Sequence, residues 1–237
     1  MTGGPSIFIG YDAREAEAFN VCRASIRRRL TAPVPIRSLM LSDLRHRGLY
    51  RRPTEVRDSR LWDVISDAPM ATEFAISRFL TPILAKSGWA LFMDCDMLAL
   101  DNLIRVFDLA DPSKAVMCVK HVHEPASGTK MDGQLQTFYR RKNWSSFCLF
   151  NCEHPANAAL TVDMVNTLPG RDLHAFSWLQ DDQIGELDPG WNFLVGHTSR
   201  DVQPKMLHWT SGGPWFQEYA EVDFATDWRN ERDRAVC

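Results

Sequence analysis

Asp94 and Asp96, with only Cys95 between them, follow directly on the apolar run Trp89 to Met93. An uninterrupted apolar run of this length reads as a strand buried on both faces. In open α/β sheets, ligands gather outside the carboxyl ends of such strands. Two carboxylates at that end, where the backbone turns, can converge on one divalent cation, and their hard oxygens suit magnesium or manganese. The plainer alternative is a pair of acids capping a turn or the next short helix. The position after a buried strand favours the metal site.

Such carboxylates need a sheet to hold them, and the first half of the chain alternates strand and helix signals. Ile7 to Tyr11 is a short apolar run ending at Asp12, after which Phe19, Cys22, Ile26 and Leu30 recur at helical spacing. Asp12, with Glu15 three residues on, predicts a capping box at the start of that helix. Pro35 to Leu41 predicts a second strand, and Arg45 to Arg60 an arginine-rich loop. Thr72 to Lys86 carries Phe74, Ile76, Phe79, Leu80 and Leu84 and predicts a helix bent near Pro82 and stopped by Ser87-Gly88. Ala115 to Val119 predicts another buried strand. This rhythm predicts an α/β fold with a mostly parallel central sheet and helices on both faces. Further on, Ser146 to Phe150 reads as a strand, Pro155 to Leu168 as a helix starting at its proline, and Met206 to Trp209 as a late strand. With no internal repeat or long linker, residues 1–237 read as one domain. The regular alternation runs to about residue 115, and the half from about 116 is less regular.

A chain of 237 residues can bury one full core, and 45% hydrophobic with 24% charged residues excludes a disordered chain. Net charge is −3 and the basic residues are scattered, which excludes nucleic acid as the main partner. The densest basic run, Arg27 to Arg29, reads as the solvated end of a helix. Six cysteines match no zinc or redox spacing and read as reduced thiols. The start MTGGPSIFIGYD has no signal-peptide pattern, and no apolar stretch is long enough to span a membrane. The expectation is a cytoplasmic protein without a transmembrane segment. The charged stretch 218–234 reads as a solvated helix, with peripheral membrane contact as its alternative.

The segment ISRFLTPILAKSGWALFMDCDML resembles the core of the family 8 glycosyltransferases, in which an arginine-bearing helix leads to an apolar strand and a DxD. IFIGYD resembles that family's nucleotide-binding start, and NWSSFCLFN its N-S-G segment. QDDQIGELDPGWN resembles its D-Q-D segment with a downstream Trp-Asn, and HWTSGGPW its His-x-x-Gly-x-x-Lys-Pro-Trp ending. Five pieces in the right order make a specific signal. The resemblance implies a GT-A fold and transfer of a sugar, with retention of configuration, from a nucleotide diphosphate donor, foremost a UDP-sugar. The acceptor would be a glycan or lipid-linked glycan in polysaccharide biosynthesis.

Roles follow for matching positions. Asp94 and Asp96 would bind the metal and the donor's ribose and diphosphate. His208 would be the third ligand, favouring manganese over magnesium because imidazole suits softer cations; read by itself it is a buried histidine at a strand end. Tyr11 and Asp12 would touch the nucleoside, with helix capping an equally motivated role for Asp12. Arg78 would hold the donor near the DxD, or else form a surface ion pair. Gln180, Asp181 and Asp182 would line the donor sugar, either aspartate steadying the oxocarbenium-like centre; otherwise the triplet starts a polar helix. Trp144 and Trp215 would stack on sugar or base, or simply pack.

Two departures stand out: Gly213 replaces the family's lysine, and Asp181 its usual glutamine. Lys205, an arginine from elsewhere, or backbone amides around Gly212 would then grip the phosphates. The segment His121 to Lys142 is the expected acceptor side. A sugar-phosphate nucleotidyltransferase would need a glycine-rich loop after the first strand, and a dehalogenase-type phosphatase would carry its motif on that strand, so neither fits. A non-catalytic binding protein on the same fold is the rival that Gly213 keeps open.

Overall fold

The computed structural model describes residues 3–122 and 141–235. β1 (Ser6–Gly10) is buried throughout and leads to Asp12, which starts a short 3-10 turn before α1 (Ala16–Arg29). Half of the predicted capping box forms. The Asp12 carboxylate accepts the Arg14 N–H at 2.9 Å, whereas the Glu15 carboxylate turns to the Cys95 thiol, 3.6 Å away. β2 (Ile36–Leu39) and α2 (Leu41–His46) follow.

The stretch predicted as an arginine-rich loop is instead a small antiparallel sheet of β3 (Thr54–Arg57), β4 (Arg60–Asp63) and β5 (Ala68–Pro69). Asp58 and Ser59, both at positive φ, make its two-residue turn. A buried ion pair between Arg52 and Asp63 anchors it, and Arg52 Nη1 also donates to the carbonyls of Val165 at 2.8 Å and Leu168 at 2.7 Å.

Thr72 to Lys86 is not one bent helix. A 3-10 turn at Ser77–Leu80 runs into α3 (Thr81–Ala85), with Pro82 in the first turn, where its missing N–H leaves no bond unmade. Lys86 and Gly88, both at positive φ, end it. β6 (Trp89–Met93), β7 (Met97–Ala99), α4 (Ile104–Asp108), β8 (Val116–Cys118) and β9 (Phe147–Asn151) come next. The predicted helix from Pro155 to Leu168 splits too. A 3-10 turn at Pro155–Ala159 gives way to α5 (Val162–Thr167), capped by Thr161, whose Oγ1 accepts the Met164 N–H at 3.1 Å. The chain continues through α6 (Gly170–His174), β10 (Ile184–Glu186), β11 (Phe193–Leu194), β12 (Met206–His208) and α7 (Ala225–Ala235).

The central sheet has the order β10-β8-β9-β6-β1-β2, and only β9 runs against the others. A second sheet, β11-β12-β7, covers a smaller core of Val21, Leu98, Leu207, Trp209 and Trp228 between it, α1 and α7. The stretch read as a solvated helix is therefore docked. Trp228 is buried, and the buried Glu231 pairs with Arg28 at 2.8 Å and Arg29 at 3.1 Å, so Arg28 and Arg29 are not simply a solvated helix end. Among the described residues, no helix is long and apolar enough to cross a membrane.

Candidate functional site

At the carboxyl end of β6 the backbone turns through Asp94-Cys95-Asp96 and returns as β7, with the Asp94 N–H donating to the Ser146 carbonyl at 3.0 Å. β7 pairs antiparallel with β12 in a register that sets His208 opposite Met97, one residue from Asp96. Strand pairing thus brings the histidine to the carboxylates. One ligand atom from each of Asp94, Asp96 and His208 lies within 4.8 Å of the others.

His208 is oriented from behind. Its Nδ1 donates to Asn192 Oδ1 at 2.8 Å, Asn192 Nδ2 donates to Ser146 Oγ at 2.9 Å, and Ser146 Oγ donates to the Asn143 carbonyl at 2.7 Å. With the amide oxygen as acceptor, the proton belongs on Nδ1, and Nε2 faces Asp96 Oδ1 at 3.3 Å. Burial alone would lower the His208 pKa, but Asp96 and then Asp94 outweigh it and hold the value above the ordinary one.

Negative charge is in excess here. Burial, with repulsion from Asp96 against attraction from Arg78, pushes Asp94 up to about 6. Burial, then repulsion from Asp96, raises Glu15 to about 7. Among the described residues, Asp94 Oδ1 and Asp96 Oδ1 are buried without a hydrogen-bond partner, and they face the charges of Arg78 and His208. Two hard oxygens and an imidazole nitrogen, converging and short of donors, fit a divalent cation of the manganese or magnesium type.

Arg78 is no surface residue. It is 6% exposed, and its Nη1 lies 2.9 Å from both Asp94 Oδ1 and the Ser145 carbonyl, with the Phe92 ring 4.9 Å from the guanidinium. Arg78, the three candidate ligands, Ser145 and Arg171 help to line a cleft of about 770 Å³. One wall is the segment from Asp63 to Ala75, beginning in the small sheet, and another is the start of α6.

The other expected site residues are not among those that line this cleft. Asp12 is fully buried, and its oxygens are taken by the N–H groups of Arg14 and Glu73 and by the Arg14 guanidinium, which hold its pKa low despite burial. Its observed role is the cap. Tyr11 packs edge-on against Phe19, ring centres 5.1 Å apart. Gln180 and Gln183 close a capping box over a 3-10 turn, and Asp181 pairs with Arg141. That is the helix-start reading of the triplet. Gln180, Asp181 and Asp182 are exposed and outside the cleft lining.

Gly212 sits at φ 122°, where a Cβ would fall 2.5 Å from the Tyr219 ring. Its turn is one only glycine fits, and it too lies outside the lining. Lys205 pairs with Asp188 at 3.1 Å and stands over Trp191, outside the cleft lining. Trp215 packs in the smaller core against Trp209 and Trp228, and Trp144 lies half-buried under Lys120 and Arg141. Of the expected acceptor segment 121–142, residues 123–140 lie outside the described residues.

Sequence reasoning did not find Asn192, His174 or the cleft wall formed by the small sheet. Asn192 lay within the Trp-Asn of the resemblance, the one signal that could have marked it.

No family model matches the chain. Protein CDI of Arabidopsis thaliana is 46% identical over 233 residues, covering 96% of this chain and 85% of the relative. Among solved structures, the apo form of the bifunctional glycosyltransferase WbbM superposes with a TM-score of 0.66 at 14% identity, covering 98% of this chain and 50% of that one. The glycosyltransferase GlyE of Streptococcus pneumoniae TIGR4 gives 0.62 at 13% identity, over 97% of this chain and 61% of that one. The galactosyltransferase LgtC, solved with donor and acceptor sugar analogues, gives 0.59 at 14% identity, over 97% and 95%. The chain thus spans about half the length of WbbM and about three-fifths of GlyE. At these identities the likeness establishes the fold, the GT-A type of glycosyltransferase.

Proposed function

The chain belongs to the family of Protein CDI, and from its fold and the site at the end of β6 we propose a metal-dependent glycosyltransferase acting on a nucleotide diphosphate sugar, read as a UDP-sugar. The acceptor is a hydroxyl of a glycan or lipid-linked glycan, and configuration is retained, as the resemblance to family 8 implies. One observation carries this reading: Asp94, Asp96 and His208 converge at the carboxyl end of β6 with two buried carboxylate oxygens short of donors, on a GT-A fold.

Asp94, Asp96 and His208 would hold the cation, preferably manganese. When bound, it supplies Lewis-acid neutralisation of the leaving diphosphate. The rest falls to the protein. Asn192 keeps the proton on His208 Nδ1, so Nε2 stays available to the cation. Arg78 fixes one Asp94 oxygen and the Ser145 carbonyl together. Arg171, exposed at the cleft, takes the phosphate charge that Gly213 leaves without a lysine. The cleft walls orient donor and acceptor and limit water. Asp181 and Asp182 take no part in this reading.

Release of UDP from a panel of UDP-sugars offered with glycan acceptors, followed with and without manganese, tests it directly. Manganese-dependent release from one sugar nucleotide, abolished in Asp94→Asn, supports the proposal; none from any donor contradicts it. Gly213 favours one alternative, a non-catalytic nucleotide-binding protein on the same fold, which would bind UDP with manganese yet release none from a sugar nucleotide.

A further inference from the structure

The central sheet ends at β2, which has β1 on one side and, among the described residues, no strand on the other. The carbonyls of Pro35 and Leu39 accept the N–H groups of Ile7 at 2.9 Å and Tyr11 at 3.1 Å. Backbone groups alternate in direction along a strand, so Ile36 and Ser38 turn their N–H and C=O away from β1. Arg37 and Ser38 are exposed there.

Beside this edge is a hollow of about 390 Å³ that shares no residue with the cleft of the candidate metal site. Arg23 of α1, Arg37 of β2 and Arg47, just after α2, line it together with Leu39, Leu44 and Leu84. The three arginines lack counter-charges. Arg23 lies 3.4 Å from Asn20 Oδ1 and over the Phe19 ring, and Arg37 stands over the Phe8 ring. Among the described residues none of the three forms an ion pair, and Asp43 is the single acid in the lining. One charge is enough to keep an edge strand from pairing with copies of itself. Three guanidinium groups around one hollow exceed that need, and their forked geometry matches carboxylates.

We propose that the β2 edge is a docking site for an extended, acidic segment of a partner protein. The segment adds to the sheet as a further strand, hydrogen-bonded to Ile36 and Ser38, with its carboxylates on Arg23, Arg37 and Arg47. Main-chain bonds give such a strand its affinity, and the arginines select an acidic sequence. A second copy of this chain does not fit, because pairing β2 with β2 would bring two sets of unpaired arginines together. The surface is independent of the transferase reading, since it lies outside that cleft.

Fluorescence anisotropy with labelled peptides tests this on the intact chain. The probe alternates glutamate and valine over about eight residues, a strand's length. The glutamate peptide should bind the wild type, and its lysine counterpart should not. A double variant carrying Arg37→Ala and Arg47→Ala, both at exposed positions, should bind the glutamate peptide about tenfold more weakly. An added strand pairs through one edge only. N-methyl groups on the glutamates block one edge of the peptide, and on the valines the other, so one of these two peptides should lose binding and the other keep it. An equal response, with both bound or neither, would overturn the proposal by leaving charge attraction without strand pairing. A wild type that ignores the glutamate peptide would overturn it too. So would binding of phosphatidylserine vesicles but not of the peptide, which would make this face a membrane contact.

Discussion

Which nitrogen of His208 faces the carboxylates is decided by a residue that is no candidate ligand. Asn192 Oδ1 accepts from Nδ1, so Asn192→Ala should leave all three ligands in place and still weaken manganese binding about 10- to 100-fold. Calorimetric titration of manganese measures this, and an unchanged affinity would show that the asparagine does not orient the ring. Protonation gives a second residue-scale prediction. Asp94 at about 6 and Glu15 at about 7 hold protons in the metal-free protein that an ordinary carboxylate would have lost, and His208 is likewise shifted up. Binding a cation must expel the protons on its ligands, so the stabilisation by manganese is small at low pH and grows as pH rises through the raised Asp94 value of about 6. Melting temperatures with and without manganese at pH 5.5 and 7.5 check the sign; a larger increment at the acidic pH would reverse it. Asp94 and Asp96 were legible in the sequence because one strand delivers both. His208 entered only through resemblance, since β7 and β12, whose pairing brings it to the carboxylates, are far apart in the chain.

The element that sequence reasoning missed is the small sheet at the cleft wall. Its turn is Asp58-Ser59 rather than a glycine-containing pair, and β3 is largely exposed, so no apolar alternation marked it. It is held instead by a charge pair, Arg52 with Asp63, closed by the carbonyls at the end of α5. Removing one partner of a buried pair strands the other, so Arg52→Ala should destabilise by about 3–5 kcal/mol. Urea unfolding reads this out, and a loss below about 1 kcal/mol would mean the wall is held by something else. β6 was read at its exact bounds and β8 and β12 within one residue at each end, because continuous apolar runs mark buried strands. The two predicted long helices broke because apolar spacing does not register caps. Thr161 restarts the chain as α5, and Pro82 sits in a first turn rather than mid-helix.

For the whole molecule, alternating signals sufficed to anticipate the central sheet, including its mostly parallel order, but not the reversed β9 at its middle. Nor did they anticipate the second core, where α7 clasps α1 through Trp228 and Glu231. That core backs the sheet carrying His208, so the candidate metal centre sits at the junction of two packed layers and needs both. A ligand that binds only this assembled junction must stabilise the fold as a whole.

Thermal unfolding with UDP and manganese, separately and together, on the wild type and on Asp96→Ala, is the most direct test. At about a hundred times the dissociation constant, the pair together should raise the wild-type melting temperature by about 5–10 °C. Neither should do so alone, and Asp96→Ala should lose the rise. No rise with UDP or any other nucleoside diphosphate, or a rise that survives Asp96→Ala, would contradict a nucleotide-sugar site built on Asp94, Asp96 and His208.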